Sequence, residues 1–183
     1  MSKGALRASM AATAYHEAGH TAASLLLGVG VRRVSIIPRL ERDGSCTAGS
    51  VSFFSRLVEG EKKLCPIKKS SRVKRRRRVE NNIKISFAGR LAESRVLGVI
   101  PPASTVENDD LIIAYHLFLL SNHRNELNWR FRRLRLQTEN LIECGWPLIE
   151  TIADRLLASR YLTNAELRTI YGEEFRYGLN ISR

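Results

Sequence analysis

The chain contains few cysteines and no long apolar run. Its 183 residues include only Cys46, Cys65 and Cys144. No Cys-x-x-Cys pair is present, so the sequence favours neither a disulfide framework nor a thiolate zinc site. The longest run of apolar and small residues, Thr21 to Val31, is about half of the ~20 residues that a membrane span needs. The first residues lack the apolar block of a signal peptide. These absences predict a soluble, cytoplasmic protein without a transmembrane segment.

One basic segment dominates the charge of the chain. Lysine and arginine number 30 against 18 acidic residues, which gives a formal net charge of +12. The stretch Lys68 to Arg78 (KKSSRVKRRRR) contributes eight of these positive charges and no acid. The apolar fraction of 44% and the length fit a single domain over residues 1–183 with a hydrophobic core.

The apolar pattern predicts a mainly α fold with a small β-sheet, an α+β class. Alanine and leucine spacing predicts a first helix over 9–27, which the glycines at 28 and 30 end. β-branched residues predict strands over 31–37 and 48–54, and Pro38 suits the first strand to a sheet edge. The other predicted elements are a mobile basic loop over 59–78, a helix over 79–97, a helix with Asn108 as N-cap, and two or three helices over 124–172, the last starting at the capping box Thr163 to Glu166.

An HExxH motif, His16 to His20, lies inside the first predicted helix. Residues four apart share one helix face, so both imidazoles can bind one Zn²⁺ at about 2.0–2.1 Å. Glu17 lies beside them, where its carboxylate can take a proton from an attacking water and return it to the leaving amine. The motif also arises by chance, and paired histidines can simply be packed or solvated. The catalytic interpretation is favoured by the small neighbouring alanines, which leave room around the histidines. It is also favoured by Gly19, which costs the helix ~1 kcal/mol and allows close approach by a neighbour or a metal.

Three blocks extend the pattern beyond this motif. They are AYHEAGH over 14–20 with VSIIPR over 34–39, FAGRLAE over 87–93, and STVENDDLIIA over 104–114. In these blocks the chain resembles the peptidase domain of the FtsH family of ATP-dependent zinc proteases. The resemblance implies an FtsH-like zincin helix, a Zn²⁺ cofactor bound by His16 and His20, and Glu17 as the catalytic base. A less specific similarity extends from Trp146 to Leu167.

A catalytic zinc site needs a third protein ligand. Without a gap, the family's Asn-Asp-apolar pattern falls on residues 109–111, so the resemblance implies Asp110 as that ligand. The residues themselves leave five alternatives open: Asp109, Glu93, Glu107, His116 and His123. Glu93 is also a candidate for orienting a ligand histidine, although a plain surface ion pair would explain it equally well.

The chain departs from the family in its nucleotide chemistry. The sequence carries no AAA+ ATPase pattern. Its only G-x-x-x-x-G, Gly44 to Gly49, is followed by Ser50 where a P-loop requires lysine. We therefore expect the chain to be a free-standing peptidase whose hydrolysis does not depend on ATP.

The basic segment 68–78 has several candidate partners, namely an acidic protein, anionic lipid or nucleic acid. It contains no aromatic residue for base stacking, so a nucleic acid would be contacted through its phosphates. A solvated loop is the alternative interpretation. A second group of arginines can instead pair with Glu139 and Glu143, and its members are Arg130, Arg132, Arg133 and Arg135.

Three functions are compatible with the sequence. The first is a zinc metalloendopeptidase acting on polypeptides, and the intact Glu17 favours it. The second is an inactive or regulatory relative that binds metal, and the third is a basic nucleic-acid-binding module. A polypeptide substrate would add a strand to a sheet edge, for which 31–37 and 48–54 are the candidates. The natural substrate and the oligomeric state stay open.

Overall fold

The computed structural model describes residues 3–40, 46–54, 69–98, 107–121 and 123–178. These residues form a mainly helical structure with small antiparallel sheets, which confirms the predicted α+β class. The helices are α1 (Lys3–Leu26), α2 (Lys69–Leu97), α3 (Glu107–Leu120), α4 (Arg124–Cys144), α5 (Trp146–Ser159) and α6 (Asn164–Gly178). The strands are β1 (Val31–Ser35), β2 (Arg39–Leu40), β3 (Cys46–Thr47), β4 (Ser50–Phe53) and β5 (Tyr161–Thr163).

The larger sheet has the order β4-β1-β5, with both pairs antiparallel. Val34 in β1 lies opposite Val51 on one side and Leu162 on the other. The prediction that Pro38 marks β1 as an edge strand is therefore wrong. Pro38 lies beyond the last residue of β1, so its missing N–H interrupts no strand pairing. β5 was not predicted, because three residues between two helices give too short a pattern.

The first apolar cluster joins α1 to α2, α5 and the larger sheet. Fully buried alanines at positions 14, 18 and 22 form the inner face of α1. A Cβ placed on Gly19 would lie 2.5 Å from the carbonyl oxygen of Ala88 and 2.8 Å from the Cβ of Ala92. The absence of a side chain at Gly19 therefore lets α1 and α2 pack in close contact.

The second apolar cluster joins α2 to α3 and α4. Val79, Ile83 and Phe87 of α2 pack with Ile113 and Leu117 of α3 and with Leu134 of α4. Asp110, near the start of α3, contacts Arg90 in the C-terminal half of α2. Helix α3 therefore runs back along α2, and its C-terminal end approaches the first half of that helix.

The basic segment is largely helical. Helix α2 begins at Lys69, so the predicted loop is wrong for residues 69–78, while 59–68 lie outside the described residues. Lysine and arginine are good helix formers, and Arg76 pairs with Glu80 one turn later at 3.3 Å. The buried Val79 fixes the following turn in the second cluster. The highly charged residues 69–78 are thus helical because they are continuous with the packed part of α2.

Two predicted helix starts have different outcomes. Helix α3 begins at Glu107, so Asn108 lies in its first turn and is not its N-cap. At the start of α6 the capping box is confirmed, because the backbone N–H of Thr163 donates to Glu166 Oε2 at 2.8 Å. Among the described residues, no helix combines the length and apolar content needed to cross a membrane.

Candidate metal centre

Three side chains from two helices converge on one point. The Nε2 atoms of His16 and His20 lie 3.0 Å apart on one face of α1. The Oδ2 atom of Asp109, from the first turn of α3, lies 3.3 Å from Nε2 of His16 and 3.2 Å from Nε2 of His20. Within the described residues these are the ligand-type side chains that could hold a metal ion together.

The spacing of these three atoms fits a tetrahedral zinc ion. Ligand atoms at ~2.0–2.1 Å from a tetrahedral centre are separated by roughly 3.3–3.4 Å. The three observed separations, 3.0, 3.2 and 3.3 Å, are close to that value. Two imidazole nitrogens and one carboxylate oxygen are ligands that zinc accepts, and three protein ligands leave the fourth position for water or substrate.

The other nitrogen of each imidazole is held by α2. Glu93 Oε2 accepts from Nδ1 of His16 at 3.0 Å, and the backbone carbonyl of Ile85 accepts from Nδ1 of His20 at 2.7 Å. A proton on each Nδ1 leaves each Nε2 lone pair free for a metal. The orienting contact proposed for Glu93 is present. The Ile85 contact had no sequence signal, because it uses a backbone carbonyl that any residue provides.

Gly89 makes room for the second histidine. A Cβ at this position would overlap the imidazole of His20, including its Nε2 and Cε1 atoms. The backbone of α2 therefore lies directly against the ring and limits its rotation. Gly89 was visible in the sequence only as part of the second family block, since the close approach depends on how two helices cross.

Asp110 is directed away from the histidines, so the prediction that it completes the metal site is wrong. Both of its carboxylate oxygens accept hydrogen bonds from Nη1 of Arg90 at 2.8 Å. Consecutive helical residues point about 100° apart, so only one of the two aspartates can face α1. Arg90 pairs with Asp110, and this leaves Asp109 facing His16 and His20.

The remaining candidate ligands do not join the group of ligand atoms. His116 is buried, and its Nδ1 donates to the carbonyl of Ile112 at 2.9 Å. His123 is exposed next to the start of α4. Glu107 begins α3, but its side chain lies outside the described part of the chain.

The carboxylates make this site attractive to positive charge. For His16, burial opposes protonation, but hydrogen bonds to Asp109 and Glu93 outweigh burial and raise its pKa to about 10. Burial also opposes protonation of His20, yet the charge of Asp109 raises its pKa. Conversely, burial works to raise the pKa of Asp109, but the neighbouring histidines dominate and lower it. The imidazole nitrogens of His16 and His20 and the carboxylate of Asp109 can therefore bind either protons or a metal cation.

Glu17 is the least exposed carboxylate near the site, at 7% of its full exposure. Burial raises the pKa of its carboxyl above the ordinary value, although the charges of His20 and His16 act in the opposite direction. A Cβ on Gly49 would lie 2.6 Å from Glu17 Oε1, so the backbone just before β4 covers the carboxyl group. Glu17 thus lies on the helix that carries the paired histidines, with its carboxyl group against Gly49, the residue before β4.

No family model matches the chain, and no curated protein matches it. The evidence for a function is therefore the arrangement of His16, His20, Asp109 and Glu17.

Proposed function

We propose that this chain is a zinc-dependent endopeptidase, with α1 as the zincin helix of an FtsH-like peptidase domain. The carrying observation is the triangle of His16 Nε2, His20 Nε2 and Asp109 Oδ2, whose separations of 3.0–3.3 Å suit one tetrahedral zinc ion. The buried carboxylate of Glu17 on the same helix supports catalysis in addition to metal storage.

The reaction divides between the metal and the protein's own groups. When bound, zinc would polarise the scissile carbonyl and make water a stronger nucleophile. The carboxylate of Glu17 accepts a proton from the attacking water and delivers it to the leaving amine nitrogen. Glu93 and the Ile85 carbonyl hold the histidines in place throughout, so the ligand nitrogens need no reorientation during the reaction.

The sheet supplies a candidate binding edge for the substrate backbone. β1 is paired on both sides, whereas β4 is paired on one side among the described residues. Gly49, which precedes β4, lies against the Glu17 carboxyl. A polypeptide added as a strand beside β4 would therefore run next to the catalytic base, with specificity from side-chain pockets and affinity from main-chain hydrogen bonds. Of the two predicted strands, we assign the substrate edge to 48–54.

The proposed chemistry requires water, metal and Glu17, and it consumes no nucleotide. The isolated chain should therefore cut unfolded polypeptides without ATP. Tightly folded substrates should resist, because a peptidase without an unfolding motor cuts only what thermal opening exposes. A cytoplasmic location belongs to the proposal, since the exposed thiol of Cys144 suits a reducing compartment.

The decisive experiment measures metal content and peptide hydrolysis on the same purified samples. Wild type should bind about one zinc ion per chain and cleave unfolded casein, and cleavage should stop with chelator and return with added zinc. His16→Ala should lose both properties. Glu17→Gln should keep zinc and lose cleavage, because a neutral amide cannot accept the proton.

Two results would replace this proposal with its alternatives. Zinc binding without cleavage of any polypeptide tested would indicate a regulatory metal-binding protein. The HExxH motif would be incidental if the purified chain contained no zinc and if His16→Ala changed neither its metal content nor its peptide hydrolysis. Full activity of Glu17→Gln would refute the role given to this carboxylate.

A further inference from the structure

Helix α3 carries an apolar surface on its outer side. Five large apolar side chains there are exposed by 36–72%: Leu111, Ile112, Tyr115, Phe118 and Leu119. We call these five residues the α3 outer face. The opposite side of the same helix is buried through Ile113 and Leu117. A helix that is apolar on both sides has a second contact to make, since contiguous apolar patches on soluble proteins mark binding surfaces.

Positive charge lies at one end of this face. The turns of α2 that precede Val79 expose Lys74, Arg76, Arg77 and Arg78. Val79 packs in the same apolar cluster as Leu117 of α3, so these cations lie close to the end of α3 that carries Phe118 and Leu119. The basic segment of the sequence is thus placed beside the apolar surface and is not isolated from it.

Helix α4 adds an aromatic residue to this end. Trp129 is 56% exposed, and the guanidinium of Arg133 lies 5.0 Å from the centre of its ring system. Arg133 also donates to Glu80 of α2 at 2.7 Å, which fixes α4 against the basic turns. Tryptophan and tyrosine beside arginine are the residues that proteins place at the boundary of lipid headgroups and acyl chains.

We propose that the α3 outer face and the neighbouring basic turns of α2 bind an anionic membrane surface. The cations would contact lipid phosphates, and the apolar side chains would enter the boundary between headgroups and acyl chains. Charge complementarity selects this occupant. A nucleic acid would satisfy the cations but would leave Leu111, Ile112 and Leu119 without a favourable contact. A second copy docked through the same face would place the same cations opposite one another.

This binding goes beyond peptide hydrolysis and does not depend on it. It would nevertheless position the candidate metal centre, because Asp109 lies in the first turn of the helix that carries the face. The centre would then lie close to the membrane surface.

Vesicle flotation tests the proposal on the whole chain. The probes are vesicles of phosphatidylcholine alone and vesicles of equal parts phosphatidylcholine and phosphatidylglycerol. We expect binding to the anionic vesicles that weakens as salt increases, since charges at a lipid surface are screened beyond ~8 Å at physiological salt. Equal binding to both vesicle types, or binding to neither, would overturn the proposal.

A charge variant separates this surface from general positive charge. Arg77→Gln with Arg78→Gln keeps good helix formers in α2 and removes two cations. At ~1 kcal/mol per basic residue, partitioning onto anionic vesicles should fall by about thirtyfold. The matched control is Arg155→Gln with Arg168→Gln, which removes the same charge from exposed positions on α5 and α6. A loss of equal size in the control would show that only net charge matters and would overturn the assigned surface.

An apolar variant separates lipid from other anionic partners. Phe118→Ser with Leu119→Ser should lower vesicle binding by at least about tenfold, since each side chain loses the gain from burial. Ile37→Ser with Leu40→Ser removes two exposed apolar residues elsewhere and should leave binding unchanged. If single-stranded RNA competes fully and the apolar variant binds vesicles like wild type, the surface is a nucleic-acid site. If the apolar variant instead abolishes dimers seen without vesicles, the face is a contact between copies.

Discussion

The two neighbouring aspartates provide the sharpest test of the metal site. Asp109 and Asp110 are adjacent, chemically identical and both part of the third family block. Their surroundings differ, since Asp109 lies 3.2–3.3 Å from the histidine nitrogens and Asp110 is paired with Arg90. Replacing each one by asparagine removes the negative charge with little change in size, so any difference in zinc affinity reports position alone.

The expected effects differ by more than tenfold. Zinc binding by four ligands in small domains is worth ~10–16 kcal/mol, or roughly 2.5–4 kcal/mol per ligand. Asp109→Asn should therefore weaken zinc binding by about two to three orders of magnitude. The Arg90–Asp110 pair is partly exposed, with side-chain exposures of 26% and 45%, and such pairs contribute ~0–1 kcal/mol. Asp110→Asn should change the affinity by less than about tenfold.

Competition with a chromophoric zinc chelator measures both affinities, and thermal unfolding without metal checks that each variant is folded. If Asp110→Asn loses zinc while Asp109→Asn retains it, the register of α3 is wrong by one residue. If both variants bind like wild type, the third ligand is another group. Equal losses in both would indicate that Arg90 and Asp110 position Asp109 much more strongly than an ion pair of this exposure should.

Three further predictions concern packing and pH. Gly19→Ala should destabilise the chain by ~1–3 kcal/mol in urea unfolding because its Cβ meets the α2 backbone, whereas Gly172→Ala, with no atom within 4 Å, should stabilise it by up to ~1 kcal/mol. Equal changes in the free energy of unfolding for Gly19→Ala and Gly172→Ala would refute the close contact of α1 and α2. Gly89→Ala should weaken zinc binding in the chelator assay by at least about tenfold, since its methyl group displaces the His20 ring, and unchanged affinity would contradict this. Hydrogen bonds to Thr163 lower the pKa of Glu166 below its ordinary 4.5. The stability difference between wild type and Glu166→Ala should thus be present at neutral pH and disappear as the pH falls well below 4.5, whereas a difference that persists in acid would refute the capping role.

The structural elements that sequence patterns predict correctly are those whose evidence is local. Spacing i, i+4 places His16 and His20 on one helix face whatever the rest of the chain does. The capping box, the main helices and the two longer strands follow from patterns within a few residues. The same applies to the mainly α class. The sequence offers Glu93 as one of several candidate partners of the histidines, but its contact with His16 required two helices to meet.

Which of the two aspartates faces the histidines depends on contacts between distant parts of the chain. The choice depends on the rotation of α3 about its axis, which the pairing of Arg90 with Asp110 and the burial of Ile113 and Leu117 set together. Composition gave the wrong prediction for the basic segment. Its charge density predicted a loop, but residues 69–78 belong to helix α2, which is packed in the core from Val79 onwards. The central position of β1 needed β5, a strand of three residues with no pattern of its own. In each case the deciding interaction joins residues far apart in the chain, and periodicity carries no information about such contacts.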